Sequence, residues 1–424
     1  MRDIDQRLLV RQLAVSRRSI PSCQWGSIAD AIVADRQSAE KHLRKPQADI
    51  DRTLFGLLPE LKEKGVVVPG PIFDRRKIAD VRAYLDPLPV YRGSHILSSD
   101  YQLRPFSEVQ KDSAFAGYTV DQLLRAPHLV DFFNQPAIVD FIEEAFGCVP
   151  TLYSLNAWWS FPATSPTGDG MQRFHRDTDD WRFLTLFIYL TDVDEGAGPH
   201  QLVAGSHTVA GMTRLLEGVR SRSPTEQVID PQQSFEVDTY FRPTFSAFVE
   251  DQFRDSTINI GGPAGTVFIA NTVAIHRGLM PTAKPRLIVW ARYGLGCNTN
   301  STDLEQGPLA RILANSAMPD TLRNRYINRL LFEFDRYPGP VPETPAATLP
   351  SRPAVERSDI GLDDVPLPAL PTLTSPAERS LAAARRLEAS RASQAPAKRP
   401  ESGLAPKAKA MFRRLWDQAS QGSQ

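Results

Sequence analysis

Between Thr151 and Tyr293 the chain repeats one local pattern. Thr151–Phe161, Phe183–Leu190, Gly265–Ile269 and Arg286–Tyr293 are short runs rich in β-branched and aromatic residues, bounded by Gly, Pro, Asp and Asn. Runs of that length and composition fit a pleated, packed surface, and the bounding residues supply turns. The pattern predicts an all-β core. What precedes it reads differently. Ile78, Val81 and Leu85 share one helical face within Asp74–Leu85. Tyr118–Gly147 is also helix-patterned, with Pro136 suited to a first turn and Gly147 to a C-terminal cap. Gly65–Pro69 reads as a short strand. The fold class expected is therefore a β-rich α+β protein with flanking N-terminal and C-terminal helices.

Chemistry enters at Phe174-His175-Arg176-Asp177. In an extended segment His175 and Asp177, two apart, face the same side. Such a triplet alone is weak evidence, because a His-any-acid triplet arises by chance in many chains, and Arg176, Asp179 and Asp180 suit a polar surface loop. Its setting strengthens it. A strand follows Asp177 within a few residues; His276 lies between two further strands, and Arg286 opens the last. A jelly-roll with that strand order converges three ligands in its mouth. Two histidines and a carboxylate on one side of a metal leave the other side open, as in non-heme Fe(II) oxygenases. Arg286 can grip a carboxylate with its planar fork. The set points to an iron enzyme that also binds a small keto-acid.

These residues carry a resemblance. The Phe174–Asp177 segment, Leu186–Val193, Gly198-Pro199-His200 with Gly205-Ser206-His207, and His276 with Arg286 resemble the phytanoyl-CoA dioxygenase (PhyH) family over about Leu54 to Gly296. The resemblance implies a double-stranded β-helix (cupin-like) core, Fe(II), 2-oxoglutarate as co-substrate and O2. It implies that His175, Asp177 and His276 bind the metal and that Arg286 pairs with the distal carboxylate of 2-oxoglutarate. It also implies oxidation of a C–H bond rather than halogenation, since halogenases of this fold replace the carboxylate ligand by a small residue. One position departs. Members often carry a hydroxyl or amide residue two after the distal histidine, where this chain has Gly278. A second polar contact to the co-substrate must then come from elsewhere, and Thr185, Asn156 and Trp181 are the candidates. His200 and His207 read as turn residues, Arg173 as exposed, and Trp158-Trp159 as one ring inward and one outward.

The remaining composition sets boundaries. The chain has 424 residues and no net charge, so nothing global calls for nucleic acid as a partner. Cys23, Cys148 and Cys297 form neither a disulfide framework nor a CxxC pair, which suits the reducing cytoplasm. No apolar run approaches the roughly 20 residues of a membrane span. Residues 1–53 read as a helical extension and 54–337 as the oxygenase domain, with core 151–296, a lid-like insertion 208–264 and helices 309–337. Residues 338–424 read as a Pro/Ala-rich tail that cannot bury a core. Within it, 405–419 has the pattern of a basic amphipathic helix, a surface for membrane or protein docking as much as a frayed end. The expected activity is hydroxylation of a small molecule (a lipid, sugar or natural-product intermediate). The competing reading is a non-catalytic jelly-roll that keeps the metal site while binding a ligand or partner.

Overall fold

The computed structural model describes residues 24–93, 102–162, 172–223, 228–235, 243–295, 310–311 and 318–333. The apolar runs become strands: β1 (Val66–Gly70), β2 (Tyr91–Arg92), β3 (Phe115–Tyr118), β4 (Thr151–Ser160), β5 (Phe183–Tyr189), β6 (His200–Val203), β7 (Thr257–Ile260), β8 (Val267–Ala270), β9 (His276–Gly278) and β10 (Arg286–Gly294). A seven-stranded sheet has the order β1-β8-β5-β10-β4-β3-β2, and a three-stranded sheet the order β7-β6-β9. From β5 onward the chain crosses repeatedly between the two antiparallel sheets, with β6 and β7 paired in the small one and β8, β9 and β10 alternating, the path of a double-stranded β-helix.

The large sheet is covered on both faces. Leu184, Leu186 and Ile188 of β5 join Leu155, Ala157, Leu287, Val289 and Ala291 against the helices. The alternate residues Phe187, Tyr189, Phe268, Ile288 and Trp290 meet Leu202 and Ile260 of the small sheet. Burial on both faces is why β5 reads as a nearly continuous apolar run, broken by Thr185 alone, rather than an alternating one.

The helices form where their end signals stand. Asp74 caps Arg75–Leu85, its side chain accepting from the backbone N–H groups of Arg76 and Lys77. Pro136 opens Pro136–Phe146, and Gly147 closes it at φ +80°, a conformation glycine adopts without a Cβ penalty. The N-terminal helix Trp25–Ala39 is held through Arg36, which donates to Val149 O at 2.9 Å and Leu295 O at 2.6 Å. Arg36 also bonds Tyr326 on the helix Leu322–Ile327, so both flanking helices share one buried guanidinium.

The stretch 208–264 departs from its expected form. Its end is β7, which pairs with β6 from Val203↔Thr257 to His200↔Ile260 and belongs to the core. The helices Val209–Arg222 and Pro243–Gln252 bury Met212, Leu216, Val219, Phe245 and Val249 against Phe174, Val203 and Ile275. Polar residues between these helical apolar positions give the segment its loop-like composition. Part of the stretch therefore forms a packed back wall to the small sheet. The expected tail 338–424, with its basic helix 405–419, lies outside the described residues.

Leu216 is fully buried in that wall. Leu216→Ala should cost about 2–5 kcal/mol, read as a lowered urea midpoint with an unchanged slope.

Candidate metal and co-substrate site

Two backbone hydrogen bonds set the site. His175 N–H donates to His276 O and His276 N–H to His175 O, each at 2.9 Å, an isolated antiparallel bridge beside β9. Asp177 N–H continues it to Thr272 O at 2.9 Å. Because side chains alternate along a strand, Phe174 and Ile275 go into the back wall while His175, His276 and Asp177 go inward.

Each histidine is held in one tautomer. His175 Nδ1 lies 2.7 Å from Arg173 O and His276 Nδ1 2.9 Å from Ala274 O. A carbonyl only accepts, so both Nδ1 atoms carry the proton and both Nε2 atoms keep a free lone pair. Those Nε2 atoms stand 3.8 and 3.7 Å from the two Asp177 oxygens. One ligand atom from each residue lies within 4.8 Å of the others, and His175 Nε2 is buried with no hydrogen-bond partner. The donor set is the two-histidine, one-carboxylate face of a non-heme iron site, and it fits Fe(II).

Charge prepares the same face. Burial opposes ionisation of Asp177. Arg292, then His276 and His175, outweigh it and hold the carboxyl well below its usual range. Arg292 Nη2 reaches Asp177 Oδ2 at 3.2 Å, and its Nε lies 3.4 Å from Asp179. Burial, and next His175, push His276 down to about 4. At neutral pH Asp177 is ionised and His276 neutral, the states a metal requires.

Arg286 lies deeper in the same interior at 4 % exposure. Its Nη2 touches Ser160 Oγ at 3.3 Å, while Nε and Nη1 have no partner. A Cβ on residue 278 would stand 2.8 Å from Arg286 Nη2, so glycine there makes room for the guanidinium.

The remaining candidates fall in different places. Thr185 Oγ1 is 3.2 Å from Thr272 Oγ1, and Thr272 in turn bonds Asp177, so Thr185 supports the metal end. Asn156 lies opposite Trp290 and donates to Ser154 Oγ at 2.6 Å. Trp181 packs into the helix-side core, while Arg286 lies on the inward face opposite Gly278. Trp158 turns inward beside Trp290 and Trp159 outward into the helix-side core.

Other site residues escaped the sequence reading. Arg176, between His175 and Asp177, is 2 % exposed. It donates to Ser234 O at 3.0 Å, Ser206 O at 2.6 Å and Val273 O at 2.5 Å, and lies 3.9 Å over the Phe235 ring. It bolts the ligand segment to the insertion and to the loop before His276. Arg292 and Ser160 were also missed; the single available signal was their place on inward-facing positions of β10 and β4.

A double-stranded β-helix with this three-residue face defines a class, the metal-dependent oxygenases. The phytanoyl-CoA dioxygenase (PhyH) profile matches residues 61–277, and the chain belongs to that family, whose enzymes use Fe(II), 2-oxoglutarate and O2. Among curated proteins none matches the sequence. Solved structures similar to it include the non-heme α-ketoglutarate-dependent carbocyclase SnoK of nogalamycin biosynthesis (14 % identity, TM-score 0.36, 59 % of this chain and 87 % of that one). HygX from Streptomyces hygroscopicus, with nickel and 2-oxoglutarate bound, shows 15 % identity and TM-score 0.34 over 56 % and 86 % of the two chains. EctD from S. alaskensis in its apoform shows 14 % and 0.35 over 68 % and 90 %. Similarity at this level says nothing about the reaction of this chain.

Two outcomes follow. Arg176→Met strands three buried carbonyls, each costing about 1–3 kcal/mol, and should weaken Fe(II) or Co(II) binding about 10–100-fold in a metal titration. The metal-free protein should lose stability as pH falls from 6.5 towards 4. The unfolded chain takes up a proton at His276 that the folded state resists, and the depressed Asp177 extends the loss to lower pH. Denaturant midpoints measured from pH 7 to pH 4 check this.

Proposed function

We propose that the protein hydroxylates a C–H bond of a small molecule (a lipid, sugar or natural-product intermediate) while converting 2-oxoglutarate to succinate and CO2. The observation that carries this is Arg286. A buried guanidinium with two unpartnered nitrogens is costly unless an anion joins it. Here it shares an interior with an open three-ligand face. A dicarboxylate with a keto-acid at one end meets both requirements.

In this reading His175, Asp177 and His276 hold Fe(II), which when bound supplies oxygen activation coupled to decarboxylation of the keto-acid. Arg286 holds the distal carboxylate and so fixes how far the keto-acid end reaches. Arg173 O and Ala274 O keep the two imidazole rings from turning, and Arg292 keeps Asp177 ionised. Phe187, Phe268 and Trp290 line the interior and exclude water. No helix among the described residues is long and apolar enough to cross a membrane. The free, buried Cys148 supports a reducing compartment, the cytoplasm.

His175→Ala or Asp177→Ala should abolish iron-dependent succinate release with the fold retained by circular dichroism. Succinate release at the normal rate from either variant would overturn the metal assignment. Arg286→Ala should raise the 2-oxoglutarate concentration for half-maximal turnover by about 100-fold, as expected for loss of a buried charge-assisted pair, with metal content little changed.

A further inference from the structure

Gly278 lacks the polar side chain that its position often carries, and the interior supplies a substitute from the neighbouring strand. β6 pairs with β9 so that His200 lies directly opposite Gly278. Side chains opposite each other in an antiparallel pair project to the same face about 5 Å apart. His200 therefore points into the interior beside the space that Gly278 leaves, and that space is filled by the guanidinium of Arg286.

The ring is built in. His200 is 6 % exposed and stacks on His276 at 5.4 Å, with Phe187 at 5.1 Å and Phe268 at 5.2 Å on its other sides. Its backbone N–H donates to Tyr189 Oη, which fixes the strand. Its Nε2 is buried and has no hydrogen-bond partner. Phenylalanine would fill this apolar surround at lower desolvation cost, so a ring nitrogen left unsatisfied there calls for a ligand atom. Arg286, with two unpartnered nitrogens of its own, and Trp290, through its indole Nε1, are the other buried donors without a partner in this interior, and of these Arg286 is the one beside Gly278.

We infer that His200 donates the second hydrogen bond to the distal carboxylate of the co-substrate, across the strand pair from Gly278, and with Arg286 forms a two-residue clamp for a dicarboxylic keto-acid. The inference rests on the proposed co-substrate site and adds a selectivity determinant to it. His200 acts by binding and positioning; it takes no part in the oxidation.

The test is anaerobic binding to the Fe(II)-loaded full chain, read by calorimetry, with 2-oxoglutarate and with 2-oxopentanoate, the same keto-acid without the distal carboxylate. His200→Phe keeps the stacking and should weaken 2-oxoglutarate about tenfold or more, the value of one hydrogen bond to a charged group, with 2-oxopentanoate and iron content unchanged. His200→Gln keeps a donor and should restore most of the preference. Unchanged 2-oxoglutarate binding in His200→Phe overturns the inference, as does equal weakening of both keto-acids, which would place the ring at the metal end or at the substrate. A preference lost equally in His200→Gln overturns it too, since ring packing would then be the cause. A wild-type protein that binds both keto-acids alike, with Arg286→Met changing neither, overturns the co-substrate site itself.

Discussion

Two reciprocal hydrogen bonds between His175 and His276 join segments a hundred residues apart, and the rest of the site depends on them. They fix register, and in a strand register decides which face a side chain takes. A slip of one residue would send both imidazoles into the back wall and bring Phe174 and Ile275 inside. The back wall opposes that slip, because those two side chains are buried with Met212, Leu216 and Val219. Apolar burial behind the sheet and the convergence of His175, Asp177 and His276 in front of it are one constraint seen from two sides.

Arg176 converts that register into a rigid position. A buried arginine needs partners for its donors, and here the partners are backbone carbonyls of three separate segments. The residue between His175 and Asp177 serves as a bolt, and its side chain points to the back wall because theirs point to the interior. Arg292 does the complementary work inside, holding Asp177 ionised where burial alone would favour the neutral acid.

The sequence made some of this legible. The β-core strands could be read because their composition follows from burial on both faces, and the helix caps at Asp74 and Gly147 because capping is a local interaction. The convergence of His175, Asp177 and His276 was visible through their spacing and strand context. Pairings between distant residues were not. Arg176 reaches Ser234, 58 residues on, and Arg292 reaches Asp177, 115 residues back. Such contacts leave no periodicity. Thr185 and Asn156 were sensible polar choices on inward-facing positions, yet strand register carries them toward Arg292 and Trp290 rather than Arg286. β7 was hidden in a long polar stretch because it is only four residues long and its inward residues are Ile258 and Ile260 alone.

Two imidazoles are locked by backbone carbonyls so that each Nε2 faces Asp177. An anomalous-difference map from crystals grown with Mn(II) or Fe(II) tests that most directly. It should show a single ion bonded at about 2.0–2.2 Å to His175 Nε2, His276 Nε2 and an Asp177 oxygen. Ligation through Nδ1, or an ion held without Asp177, would contradict it.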